Sequence, residues 1–214
     1  MTFAVELREL TGPTWEAAVA HRFVREIRRG EVPPGVLRTY LVQDHQFFDA
    51  FVALMGAAVA CADTVEPRVV HARQLAVVAG PENDFFARAL DALDVPLADR
   101  TDPVLLSPTE GFTALMDTAR RSADYASCLA VLLVAEWLYL DWATRDDVPL
   151  PAEPIQREWI ELHSGQAFEA WVAFLHAELD RVAFGLDAAH RERVRGLFVR
   201  AVDLELAFFD AAYT

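Results

Sequence analysis

Through most of the chain, apolar residues recur three and four positions apart, the spacing at which side chains share one face of an α-helix. Alternating strand-like runs bounded by hairpin turns are absent, and Gly and Pro cluster between the periodic stretches. The pattern predicts an all-α helical bundle of about seven or eight helices. The first substantial one runs from about Thr14 to Arg29 with Gly30 as its stop, and Pro33 and Pro34 open a second that reaches about Thr64. Shorter helices are expected over about Glu66 to Val78 and Glu82 to Leu93, broken by Gly80 and Pro81. Ser107, Pro108 and Glu110 read as a capping box, with Ser107 as N-cap, for a helix reaching about Arg121. Further helices follow over about Tyr125 to Thr144, Pro154 to His163, Gln166 to Phe184 and Asp187 to Tyr213. No repeat, linker or low-complexity tract divides the chain. Residues 1–214 are therefore expected to form one domain, with ligand sites between facing helices.

Composition narrows the classes of partner. A hydrophobic share of 54% supports a sizeable core and argues against disorder. The formal net charge of −14 works against nucleic acid and anionic membranes, which clustered Lys and Arg would hold. The densest basic stretches, Arg25 to Arg29 and Arg191 to Arg195, alternate with Glu and apolar residues as solvated helix faces do. Cys61 and Cys128 lack partners at metal-ligand spacing, so neither a zinc site nor a disulfide scaffold is indicated, and a reduced cytoplasmic location fits best. The N-terminus lacks the apolar run of a signal peptide, and no uncharged stretch approaches about 18 residues, so no membrane span is expected.

Three acids break the helical pattern. Asp44 shares its face with Tyr40, Leu41, Phe47, Phe48 and Phe51; Glu136 with Leu129, Leu132, Leu133, Tyr139 and Leu140; Glu205 with Phe198, Ala201, Val202, Phe208 and Phe209. Burying one unpaired carboxylate costs several kcal/mol, about the scale of a domain's net stability. One explanation is a buried Arg partner or a subunit interface for each acid. Arg38, Arg145 and Arg200, however, lie on other helical faces or at helix ends. The other explanation is a shared polar pocket lined by carboxylates and aromatic rings, which suits a flat, nitrogen-rich, neutral or cationic ligand such as an aminopyrimidine.

Gln43-Asp44 ahead of Phe47 and Phe48, the segment Glu136-Trp137-Leu138-Tyr139, Trp159 before His163, and Glu205 with Phe208 and Phe209 together resemble the TenA family. The likeness extends from His21-Arg22-Phe23-Val24 and Gly30 to the last helix. It implies a heme-oxygenase-like helical bundle, usually tetrameric, that acts in thiamin salvage by hydrolysing an aminomethyl-aminopyrimidine to hydroxymethylpyrimidine. By the resemblance, Asp44 hydrogen-bonds the aminopyrimidine, Glu205 handles ring protonation and Tyr139 lines the pocket. Where thiaminase-type members carry a nucleophilic Cys, this chain has Ala135, followed at once by Glu136. Phe47, Phe112 and His163 stand at positions where those members have Tyr. These departures match a subgroup that lacks the Cys and is associated with aminopyrimidine or its formylamino derivative.

Cys128, seven residues before Ala135, is about 10 Å away along the helix and reads as an inert buried thiol, as does Cys61. Without a thiol, displacement at the exocyclic methylene needs activation of the leaving amine and delivery of water, work that two acids of differing pKa can divide, and Glu205 and Glu136 are the candidate catalytic pair. The expected division gives Glu205 the pyrimidine ring, Asp44 the amino edge, and Glu136 the water and leaving group. Phe47, Phe48, Phe112 and Tyr139 are candidates to stack on the ring. His163 either orients an acid or is a satisfied core histidine, while His45 and His71 are assigned to packing or the surface. No cofactor or metal is implied, and a homo-oligomer, dimer or tetramer, is expected. Two rivals stay open. A di-iron oxidase needs motifs such as Glu-x-x-His, and none of the six His follows a Glu by three. A non-catalytic pyrimidine-binding protein would keep the pocket without the chemistry.

Overall fold

The computed structural model describes residues 1–145 and 149–214, and among these the regular structure is entirely helical. Three short helices open the chain: α1 (Phe3–Leu10), α2 (Gly12–Val19) and α3 (Arg22–Arg29). The long α4 (Pro34–Cys61) follows, then α5 (Val65–Val77), a π-helical turn (Val78–Glu82), α6 (Asn83–Ala92) and the short α7 (Leu97–Thr101). The remainder is α8 (Ser107–Arg121), α9 (Tyr125–Thr144), α10 (Pro154–Leu162), α11 (Gln166–Ala183) and α12 (Ala188–Ala211).

The bundle is built around α9. Nearly every side chain from Tyr125 to Ala143 is buried, because α2, α4, α8, α11 and α12 all pack against it. This helix is long and apolar enough to cross a membrane by length and composition, but 83% of its apolar window is covered by the rest of the protein, as befits a core helix that is apolar all round. On one side α4 packs against α5, α6 and α8; on another α12 packs against α2 and α8.

Local chemistry sets the ends. Asp124 caps α9 by accepting from the Ser127 amide at 3.0 Å, and Asp187 caps α12 by accepting from His190 at 2.7 Å. Gly30 ends α3 in the left-handed conformation, φ +71°, with the Glu31 amide returning to the Glu26 carbonyl at 2.9 Å. A β-carbon there would lie 3.0 Å from Cβ of Pro151, so both backbone angle and space favour glycine.

There are more helices than the seven or eight expected. The segment 14–29 is two helices, because His21 is extended and caps α3 through its own ring, Nδ1 accepting from the Phe23 amide at 3.1 Å. The same ring stacks on Phe209, which fixes the change of direction. Helix α1 was not expected; Phe3, Ala4 and Leu7 are buried and the Ala4 amide donates to Asp180 at 2.8 Å. The capping box at Ser107 does not form. Leu106 occupies the cap position with no side-chain cap, and its amide donates instead to Gln43 Oε1 at 2.9 Å. Gly80 and Pro81 also do not break the chain into two helices. It continues through them as a π-helical turn, whose wider ladder accommodates the proline ring and its missing N–H.

Candidate active site

One face of α4 and one face of α9 meet across a cavity. Asp44, Phe47, Phe48 and Phe51 sit at i, i+3, i+4 and i+7 on α4, and Ala135, Glu136 and Tyr139 face them from α9. Phe86 of α6, Trp159 of α10, His163 just beyond α10 and Glu82 of the π-helical turn complete the walls. The space holds about 400 Å³ free of atoms, counting the solvent at its mouth. It is a narrow slot between aromatic faces.

Hydrogen bonds fix the deep wall. The hydroxyls of Tyr40 and Tyr139 are 2.7 Å apart, and the Trp159 indole N–H donates to Tyr40 at 3.2 Å. His163 Nδ1 lies 2.8 Å from the Trp159 carbonyl. Because a carbonyl only accepts, Nδ1 carries the hydrogen and Nε2 is left as an acceptor. Burial lowers the His163 pKa to about 4, against the opposing pull of that carbonyl, so the ring is neutral at physiological pH. Beside Asp44, Gln43 spans the connection into α8, donating to the Val104 carbonyl at 3.0 Å and accepting from Leu106.

The carboxyls have no counter-ions. Among the described residues none of Asp44, Glu82, Glu136 and Glu205 forms an ion pair. The arginines named as conceivable partners point elsewhere: Arg38 donates to the Leu93 carbonyl, Arg145 pairs with Glu16 and Asp141, and the Arg200 guanidinium lies near Gly111. Buried Arg28 donates to the Ala143 carbonyl. Burial therefore acts almost unopposed, favouring the protonated acids. It lifts Glu136 to about 8 with help from the Glu82 charge, and lifts Glu82 to about 7. Asp44 is held well above the usual carboxylate range by burial and then by Glu82, and Glu205 by burial and then by Asp44. The Trp171 indole N–H acts on Glu136 in the opposite direction, yet neither Trp171 Nε1 nor Glu136 Oε1 completes a hydrogen bond.

The structure thus brings Asp44, Glu136, Phe47, Phe48, Tyr139 and His163 onto one cavity. Glu205 is buried within electrostatic reach of the lining residues Asp44 and Tyr139: the Asp44 charge raises it, and its own charge raises Tyr40 and Tyr139. Phe112 is not a wall residue; it is buried and meets Phe47 edge to face at 5.0 Å, so it supports the wall from behind. His71 is fully buried and its Nε2 pairs with the Tyr125 hydroxyl at 2.9 Å, while His45 is partly buried against Phe86. Sequence reasoning missed Glu82. Its signal was present, since Val78, Glu82, Phe85 and Phe86 have helical spacing, but only if the helix is continued through Gly80 and Pro81. Ala135 faces the cavity beside Glu136. Burial pushes the Cys128 thiol up to about 12, and its Sγ faces the Ala119 carbonyl at 3.6 Å. Among the described residues no three His, Cys, Asp or Glu side chains converge as a metal site.

Known proteins share this architecture. Over its full length the chain is 22% identical to an aminopyrimidine aminohydrolase of Halalkalibacterium halodurans, covering 96% of that protein. It is 25% identical to the Bacillus subtilis protein of the same name, covering 90% of it. A TenA homologue from Pyrococcus furiosus superposes with a TM-score of 0.85 at 20% identity, over 99% of this chain and 100% of that one. A TenA family transcription regulator from Silicibacter gives a TM-score of 0.87 at 20% identity, over 99% of this chain and 96% of that one. The sequence profile of the TENA/THI-4/PQQC family matches residues 10–214, and the chain belongs to that family.

Proposed function

We propose that the cavity binds an aminopyrimidine and hydrolyses its exocyclic C–N bond, converting aminomethyl- or formylaminomethyl-aminopyrimidine to hydroxymethylpyrimidine in thiamin salvage. The observation that carries this reading is the set of buried carboxyls without counter-ions around an aromatic slot. Raised pKa values at such positions mark functional sites. An aminopyrimidine presents an amino donor beside a ring-nitrogen acceptor. A carboxylate accepts from the first and a protonated carboxyl donates to the second. The adjacent Asp44 and Glu205 offer that pair: Asp44 takes the amino edge, and Glu205 supplies the proton at the ring nitrogen. Phe47, Phe48, Tyr139 and Trp159 hold the ring faces. Glu136, beside Ala135, acts on the water and the leaving amine. With alanine in place of a thiol there is no covalent intermediate, and water attacks directly.

The names of the two full-length relatives support the same chemistry. We take residues 1–214 as one catalytic domain, cytoplasmic and homo-oligomeric, acting on a small molecule with neither nucleic acid nor membrane as partner; the net charge of −14 supports the last point. The test is turnover of aminomethyl-aminopyrimidine by the wild type, Glu205→Gln and Glu136→Gln, with hydroxymethylpyrimidine binding measured in parallel. Turnover by the wild type alone is expected. Wild-type rates in both variants refute the residue assignment, and tight binding with no hydrolysis of either substrate by the wild type refutes the reaction.

A further inference from the structure

The mechanism above asks Glu136 both to protonate the departing amine and to take a proton from water. One carboxyl cannot hold a proton and lack it at the same moment. The cavity contains a second acid suited to the other half of the task. Glu82 lines the slot from the π-helical turn, a backbone feature found preferentially at functional sites. The turn is anchored at both ends by buried apolar residues, Val78 at its start and Phe85 and Phe86 just after it, so the carboxyl is delivered from fixed backbone. Among the described residues it has neither ion-pair nor hydrogen-bond partner, and its charge is felt at both Asp44 and Glu136.

We propose that Glu82 is a catalytic residue: the general base that takes the proton from the attacking water, while Glu136 in its acid form serves the departing nitrogen. The inference rests on the hydrolase reading. In the step, a water oxygen forms a bond to the exocyclic methylene carbon and gives one proton to Glu82. The C–N bond breaks, its electron pair leaves with nitrogen, and Glu136 donates a proton to the departing amine. Proton return from Glu82 to Glu136 restores both groups, so water and the aminomethyl compound become the alcohol and ammonia.

The titratable side chains facing the cavity are Asp44 from α4, Glu82 from the turn, Glu136 and Tyr139 from α9 and His163 after α10. Glu82, at about 7, ionises before Glu136, at about 8, and its charge helps keep Glu136 protonated. His163, held at about 4, is a weak base for neutral pH. Asp44 is committed to the amino edge, and Tyr139 is bonded to Tyr40.

The experiment compares wild type, Glu82→Gln and Glu82→Asp for kcat and KM on aminomethyl-aminopyrimidine across pH, with the Kd of hydroxymethylpyrimidine by calorimetry. The expected result is a kcat lowered about 10²–10⁴-fold in Glu82→Gln, with product Kd within about threefold and the acid limb near pH 7 lost. Glu82→Asp keeps a carboxyl and is expected to fall between, with that limb retained. Glu82→Gln turning over within about fivefold of wild type overturns the proposal, as does loss of product binding in step with kcat in both variants, since that marks a structural role. If the wild type hydrolyses no aminopyrimidine, the hydrolase reading has failed and this proposal falls with it.

Discussion

Replacing Glu136 with Gln tests whether its burial is felt as the structure requires. Glu136 is 5% exposed, has no cation beside it, and is raised from 4.5 to about 8. Below pH 4.5 folded and unfolded chains both hold the proton and the site costs nothing. As pH rises from 4.5 through 8 the unfolded chain releases its proton while the folded chain keeps it, so stability declines over that window. Each tenfold difference in proton affinity is worth about 1.4 kcal/mol, which makes the loss about 3 kcal/mol at pH 7 and about 5 kcal/mol above pH 8. Glutamine has nearly the same shape and no charge to desolvate. Glu136→Gln is therefore expected to match wild type near pH 4.5 and to exceed it by about 3 kcal/mol at pH 7. The burial of Asp44 and Glu82 acts on both proteins in the same direction and largely cancels in the difference. Urea denaturation of both proteins at intervals from pH 4.5 to 9 supplies the measurement. A difference that does not change with pH, or a variant less stable than wild type at pH 8, refutes the reasoning.

Other perturbations probe separate links. Gly30→Ala forces a β-carbon into a left-handed residue 3.0 Å from Pro151 and is expected to cost about 1–2 kcal/mol by denaturant unfolding, with kcat unchanged. Phe112→Ala leaves the buried face of Phe47 unsupported; the expected loss is about 3–5 kcal/mol of stability together with a raised KM. Trp171→Phe removes the indole N–H that favours ionised Glu136, so carboxyl titration by NMR is expected to place that group higher than in wild type.

Much of the site was legible because it depends on helical spacing alone. Asp44, Phe47, Phe48 and Phe51 had to share a face once α4 was a helix, and an acid amid such rings had to be paired, protonated or functional. Spacing does not say how far a face reaches, which is why Phe112 was expected at the ligand and stands behind Phe47 instead. The missed features share another cause. Local preference makes Gly80-Pro81 a break and lets one helix run through His21, yet the π-helical turn holds a proline that an α-helix would not, and His21 follows the end of α2 and caps α3 with its ring stacked on Phe209 of α12. Both outcomes are set by packing between segments far apart in sequence. The capping box is absent for a related reason: the helix starts one residue earlier, with Leu106 at the cap position and its amide held by Gln43, 63 residues away.

The central claim is that the acids converge on one aminopyrimidine, and the structure of the protein bound to hydroxymethylpyrimidine tests it most directly. The account predicts the ring in the slot between Phe47 and Tyr139, Asp44 and Glu205 on its nitrogen edge, and the hydroxymethyl group directed at Glu136 and Glu82. A ligand bound outside the slot, or within it but touching neither Asp44 nor Glu136, would contradict the account.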